Sequence, residues 1–342
     1  MKKKNYIHKG AFKLESGHVL TDIDICYHIS EYPINRAKPV VWICHALTAN
    51  SDAEDWWPGL VGKGKLFDPD KYTLIGANIL GSCYGTTGAL STNPTTGKAW
   101  LGEFPLVTVR DWVAAHEVLR QHLGVEKIHI VIGGSIGGFQ CIEWGIMHPQ
   151  IFENIVLVAT SYMQTPWSIA INETKRMAIE TDSTFFNGDP NGGKLGLATA
   201  RSVGLLSFRG YKPYNNTQWE QDNEQITNFR ASSYQQYQGK KLVDRFNAHC
   251  YYALTKSQDT HNVARKRGSL QQALAKVTAN TLCVGVSSDM LFPTIEQQYL
   301  AQHIPNAVYR EIESDFGHDG FLIEGEKLTA IISSYLEKNS TQ

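Results

Sequence analysis

Four short apolar runs recur in the first half of the chain, each bounded by turn residues: Val40 to Cys44, Tyr72 to Ala77, Ile128 to Ile132, and Ile155 to Ala159. A strand with one face in water alternates apolar and polar residues. A run that is apolar at every position must be covered on both faces. Between the second and third runs, Val107 to Leu123 carries apolar residues at helical spacing. Continuous apolar strands separated by helices predict a parallel sheet buried between helical layers. The pattern changes after Ala159. From about Pro166 to about Lys276 the chain is polar and aromatic, helical in spacing, and broken by the turn-forming stretch Asn187 to Gly193. Strand patterning returns at Thr281 to Val286 and Val308 to Ile312, and a last helix is expected from Gly325 to Leu336. The expectation is an α/β core made of residues 1–165 and 277–342, with residues 166–276 as a helical lid insertion; a chain of 342 residues suits that arrangement.

Directly after the run at Ile128 to Ile132 comes Gly133-Gly134-Ser135-Ile136-Gly137-Gly138, and directly after that a helical pattern through Phe139, Ile142, Ile146 and Met147. A serine on a tight turn between strand and helix needs small neighbours, and the helix beneath it points amides at any negative charge that develops there. A glycine-rich turn can also serve packing alone. A dinucleotide fingerprint is a second rival, but Ser135 and Ile136 stand where its middle glycine would fall. The strand before and helix after favour the nucleophile elbow of the α/β-hydrolase fold, with Ser135 as nucleophile.

That fold orders its triad as serine, then acid, then histidine. His303 falls in a helical pattern and reads as a surface residue. His318, in the turn Asp315-Phe316-Gly317-His318-Asp319-Gly320 after the last strand, is the expected base. Asp289 ends the strand at Val284 to Val286 and is the expected orienter; a turn-capping aspartate is its plainer role. Asp315 is the rival acid, and it lies too near His318 along the chain. An oxyanion hole needs two backbone donors. The amide of Ile136 is one. The loop His45-Ala46-Leu47-Thr48 after the first apolar run supplies the other, assigned to Leu47. His45 precedes Ser135, so it is expected to hold this loop and not to act as base.

The remaining composition narrows the partners. A formal net charge of -1 gives no global field to attract nucleic acid or an anionic membrane, so an anionic substrate must be held by individual residues. No apolar window approaches the roughly 18 residues of a membrane span. Met1-Lys2-Lys3-Lys4 leads into no apolar segment, which argues against a secretory signal, and the three lysines read as a solvated, frayed end. The six cysteines form no C-x-x-C pair, and Cys44, Cys141 and Cys283 lie in apolar runs. Buried reduced thiols and a cytoplasmic setting follow as expectations. No histidine, cysteine or aspartate spacing suggests a metal.

Taken together, His45 to Thr48, Asn78 to Gly81, Gly85 to Gly88, Phe104-Pro105, Thr108 to Asp111, Gly133 to Gly138 with Glu143-Trp144, Ala200-Arg201 and Gly317 to Leu322 resemble the homoserine O-acetyltransferase family, over about residues 10–335. The resemblance implies acetyl transfer from acetyl-CoA, a co-substrate and not a resident cofactor, to L-homoserine in methionine biosynthesis. It further implies a homodimer, Arg201 facing the substrate carboxylate and Asp319 taking the substrate amino group. A guanidinium fork suits a planar carboxylate; in its plainer role Arg201 would be a salt-bridge residue. The sequence departs from the family at Phe208, where a tyrosine is common, and at Gly88-Ala89-Leu90-Ser91. Three rivals share the triad or the fold. They are a plain esterase or thioesterase, an acyltransferase using succinyl-CoA or serine, and a non-catalytic binding protein. A succinyl donor calls for a cation near its distal carboxylate, and the sequence places none.

Overall fold

A computed structural model of the chain describes residues 1–340. Within that span the strands are β1 (Lys2–Lys13), β2 (Val19–Ile29), β3 (Val40–Cys44), β4 (Thr73–Ala77), β5 (Ile128–Gly134), β6 (Phe152–Val158), β7 (Asn280–Val286) and β8 (Ala307–Ile312). In the first half the helices are α1 (Ala53–Trp56), α2 (Val109–His122) and α3 (Ile136–Met147). Between β6 and β7 run α4 (Pro166–Glu180), α5 (Lys194–Phe208), α6 (Tyr211–Gln218), α7 (Arg230–Val243), α8 (Ala248–Asp259) and α9 (Leu270–Leu274). Then come α10 (Thr294–His303), α11 (Gly320–Ile323) and α12 (Gly325–Ser340).

The strands form one sheet in the order β1-β2-β4-β3-β5-β6-β7-β8. From β4 to β8 neighbours run parallel, while β1 and β2 form an antiparallel hairpin and β2 pairs antiparallel with β4. The two faces of β3 show why its run is apolar throughout. Trp42 and Cys44 join the core under α2 and α3 with Trp112, Phe139 and Trp144. Val41 and Ile43 join the opposite core with Leu74, Ile130 and the Leu328 and Ile332 side chains of α12. Both faces of the inner strands β3 to β7 are therefore dry, while the edge strand β8 is largely exposed.

The hairpin corrects one expectation. Lys2, Lys3 and Lys4 are not a frayed end; they pair with Ile29, His28 and Tyr27 in β1. As the outermost strand, β1 leaves most of its side chains in water, so its sequence carries no apolar alternation to read. Lysines on an edge strand also discourage further strands from adding to it.

Two of the family-like segments brace the architecture. Thr108 caps α2 in a reciprocal box with Asp111: the Thr108 amide donates to Asp111 Oδ2 at 2.8 Å, and the Thr108 hydroxyl accepts from the Asp111 amide. Arg110 then reaches Glu143 on α3 at 2.8 Å and Glu15, in the β1–β2 turn, at 3.0 Å. Arg267 holds the other oxygen of Glu143, whose side chain is buried. The pairing satisfies both charges, as burial requires. The parallel strands β5, β7 and β8 end at the same edge of the sheet, and the loops that follow them carry Ser135, Asp289 and His318. In open α/β sheets that edge is where ligands bind.

Candidate active site

Ser135 sits between β5 and α3 with φ 57° and ψ −125°, a conformation that costs a residue with a side chain of order 1–3 kcal/mol. Its neighbours enforce the turn. A Cβ on Gly133 would lie 2.2 Å from the Gly137 carbonyl carbon, and one on Gly137 would lie 2.3 Å from the Cys44 carbonyl oxygen. Glycine is required at both places by the closeness of backbone to backbone. The Ser135 carbonyl is held by the Gly138 amide at 2.9 Å and the Thr160 hydroxyl at 2.7 Å. Ile136 opens α3, so its amide belongs to the first turn, where amides have no acceptor inside the helix.

The loop after β3 is fixed from three sides. His45 donates from Nδ1 to the Ala46 carbonyl at 2.8 Å and accepts at Nε2 from the Ile79 amide at 3.2 Å. Both ring nitrogens are thus engaged, and burial pushes its pKa down to about 4. This is a loop-holding histidine. Gln140 of α3 donates to the carbonyls of His45 and Ile136, each at 3.1 Å, tying the two candidate oxyanion segments together. From the other side Arg245 donates to the Thr48 carbonyl and, at 3.0 Å, to the Tyr84 hydroxyl.

After β8 the chain turns at Gly317, φ 65°, and presents His318. Its Nδ1 lies 2.7 Å from Asp289 Oδ2. The other carboxylate oxygen accepts the Leu291 amide at 2.8 Å and the Phe292 amide at 3.0 Å. Asp289 thus both caps the turn and bonds the histidine ring. With Nδ1 donating to the carboxylate, Nε2 is the nitrogen left for proton transfer. The ring is packed by Phe292 and Phe321, both 5.4 Å away between centroids, and by Phe208 at 6.0 Å. Asp315 instead pairs with Lys212 on the exposed surface. His303 donates within its own helix and stacks on Tyr299, half-buried on α10.

A cavity of about 610 Å³ has Leu47, Ser135, Arg201, Phe208, His318 and Asp319 in its wall, with Lys241 and Arg245 beside them. Arg201 comes from α5. Its guanidinium lies over the Phe208 ring, 5.8 Å from the centroid, and burial lowers its pKa. Among the described residues it closes no hydrogen bond or ion pair. Asp319 lies 3.0 Å from Arg209 Nε, an ion-pair contact whose angle does not make a hydrogen bond. Burial raises its pKa, while Arg209, His318 and Arg201 pull the other way. The carboxylate assigned to an amino group thus already has a cationic neighbour, Arg209, which reasoning from sequence passes over. Its position eight residues after Arg201, on the same helix end, is the available signal. Lys175 of α4 also escapes that reasoning: it is fully buried against Phe208, in a helix stretch with no motif to mark it.

The fold and the aspartate–histidine pair beside an elbow serine define an α/β hydrolase, and the family described as the alpha/beta hydrolase fold matches residues 39–324. A homoserine O-acetyltransferase from Cyclobacterium marinum is 45% identical over 331 residues, which is 96% of this chain and 94% of the relative. The chain belongs to the homoserine O-acetyltransferase family. Among solved structures, a homoserine O-acetyltransferase from Bacillus anthracis superposes with a TM-score of 0.89 at 23% identity, covering 98% of this chain and 97% of that one. Esterase E22 superposes with 0.87 at 22% identity, covering 98% and 100%. Those two likenesses speak to the fold alone, and the fold serves both transfer and hydrolysis.

Proposed function

We propose that the protein moves an acetyl group from acetyl-CoA to the hydroxyl of L-homoserine through an acyl-serine. His318 takes the proton of Ser135, whose oxygen attacks the thioester carbonyl. The amides of Leu47 and Ile136 receive the oxyanion, the C–S bond breaks, and CoA leaves as the thiol with the proton from His318. Homoserine then enters, and its hydroxyl gives a proton to His318 as it attacks the acetyl-serine. The Ser135 ester bond breaks and the proton returns to the serine. Asp289 keeps the imidazole in the needed tautomer and stabilises its charged form.

One observation separates this reading from a plain esterase: an unpaired guanidinium, Arg201, stands in the cavity that holds Ser135 and His318. An ester of a simple alcohol has no use for it, whereas an amino-acid acceptor brings a carboxylate. The Arg209–Asp319 pair leaves Asp319 free to turn to the substrate amino group, exchanging one cation for another. The names of the full-length relatives point the same way. The test is direct. Purified protein given acetyl-CoA and homoserine should form O-acetylhomoserine and free CoA in equal amounts. CoA release matched by acetate, with no ester, would make it a hydrolase.

Homodimerisation in the cytoplasm belongs to the same reading. It is supported by apolar side chains left exposed on and between the inserted helices, Leu195, Leu206, Tyr211, Trp219 and Ile226 among them. No helix among the described residues is long and apolar enough to cross a membrane.

A further inference from the structure

The two candidate oxyanion donors come from separate loops, and a hole works only if both amides stand about 3 Å from the same oxygen. The sheet alone does not set that spacing. The β3–β5 ladder ends at the pair Cys44 and Gly133, short of Leu47 on one strand and of Ile136 on the other. One side chain continues the link past the sheet edge. The Gln140 amide donates to the His45 carbonyl and to the Ile136 carbonyl, each at 3.1 Å, which spends both of its N–H groups. From His45 the hold passes to Leu47 through one peptide plane. The Ala46 carbonyl accepts from His45 Nδ1 at 2.8 Å and from the Ala49 amide at 3.0 Å. In a trans peptide the carbonyl and the N–H that follows it point in opposite directions. Pinning the Ala46 carbonyl therefore aims the Leu47 amide.

The Gln140 side chain is itself locked. Its nitrogen faces two carbonyls, which only accept, so its oxygen faces His116, whose Nε2 lies 2.9 Å away and donates. His116 comes from α2, packs against Trp42 and Trp144, and is buried, as Gln140 is. Burial pushes the His116 pKa down to about 4, and its Nδ1 has no hydrogen-bond partner among the described residues. The ring is therefore neutral, with its one proton on Nε2, where Gln140 needs it. Neither His116 nor Gln140 lines the cavity that holds Ser135.

We propose that Gln140, locked by His116, is a positioning residue that fixes the spacing of the two oxyanion donors, the amides of Leu47 and Ile136. The proposal rests on the acyl-serine reading of Ser135. No bond or proton moves on Gln140. A negative oxygen forms when Ser135 attacks the thioester and again when the acceptor attacks the acetyl-serine, and both times it meets two amides already set at the right separation. Loss of the amide should slow both steps. It should spare the binding of any molecule that puts no oxygen in the hole.

The experiment compares the wild type with Gln140→Met, which keeps a chain of similar length and loses both donors. The first reading is kcat/KM for 4-nitrophenyl acetate, followed as 4-nitrophenol with Ser135→Ala as blank; it reports acylation without CoA or homoserine. It should fall about 10- to 100-fold, short of the roughly 10²–10³-fold that removal of a whole oxyanion donor costs. The second reading is the affinity for trifluoroacetonyl-CoA, a ketone to which the serine oxygen adds to leave an alkoxide in the hole, against the affinity for CoA itself. The ketone should weaken by a similar factor and CoA by less than about twofold. If Gln140→Met does not fold, His116→Phe, which frees the amide to turn, gives the same two readings with a smaller fall. An unchanged ester rate in the variant overturns the positioning role. Equal weakening of the ketone and of CoA overturns it as well, because that is damage to the whole site. A wild type inert toward the ester overturns the acyl-serine reading and the role of Gln140 together. A wild type that cleaves the ester but forms no O-acetylhomoserine overturns the acceptor assignment alone, and the variant still decides Gln140.

Discussion

Asp289 shows how closely one side chain can be held. One oxygen takes two backbone amides and the other takes the His318 ring, and the side chain is shut off from water. Asp289→Asn keeps the shape and can keep the amide contacts, but it sets an amide or a neutral carbonyl against Nδ1. His318 would then be held in the wrong tautomer or left without charge compensation, and turnover should fall on the order of 10³–10⁴-fold. Asp315→Asn breaks only the exposed pair with Lys212 and should cost little. Steady-state rates of the two variants with acetyl-CoA and homoserine decide the assignment; reversed effects would exchange the two aspartates. Lys175 makes a prediction of the opposite kind, on stability. A lysine whose folded pKa lies below its unfolded value contributes its full stability above about pH 10.5 and loses it as pH falls toward about 7. Arg176 of the same helix, Arg201 of α5 and Asp259 of α8 face it, and they are shared by wild type and variant. Lys175→Met should therefore exceed the wild type in urea stability most at about pH 7, with the gap narrowing as pH rises toward 10. A gap independent of pH would mean the amine is not held in its neutral form. At this scale the sequence displays what chain order and turn chemistry mark, Ser135, Asp289 and His318. It hides Lys175 and Arg209, because a charged residue in a helix looks solvent-facing until the packing of α4, α5 and α8 is known.

Helix α5 links the inserted segment to the catalytic edge of the sheet. It carries Arg201 and Phe208, and Arg209 just beyond its end reaches Asp319. Because a guanidinium has no part in attacking a thioester, Arg201 should govern the second half-reaction. Arg201→Ala should raise the KM for homoserine and slow transfer, losing roughly 2–5 kcal/mol if the contact is desolvated. The rate of CoA release in the first turnover should change little. Rapid-mix measurement of CoA release alongside steady-state ester formation separates the steps. Equal damage to both would make Arg201 a strut of the helix and not a substrate contact. The legibility of elements follows their burial. Strands β3 to β7 are readable because both faces are dry. The β1–β2 hairpin is not, since an edge strand flanked by water carries lysines at the places where alternation would show. Asn78, Thr86 and Glu143 illustrate a middle case: their motifs are visible, but as hydrogen-bond and ion-pair braces they become intelligible only once β2, β4 and α3 are brought together.

For the whole molecule, the helices between β6 and β7 present several large apolar side chains to water. Leu195, Leu206, Tyr211 and Trp219 all lie on α5, on α6 or at the end of α6. Covering them by a second copy removes that exposed surface. Light scattering on the eluting protein should give twice the chain mass, and Leu206→Asp should shift it toward the single chain. A wild-type monomer at micromolar concentration would rule the dimer out. Acylation of Ser135 underlies both half-reactions and the role of Arg201 in the second of them. The most direct measurement omits the acceptor. The protein is incubated with acetyl-CoA alone, quenched in acid, digested and examined by peptide mass spectrometry, with Ser135→Ala as control. The predicted result is an acetyl group on Ser135, lost on addition of homoserine and missing from the variant. Acetyl found on a different residue while Ser135 is unmodified would contradict the acyl-serine mechanism.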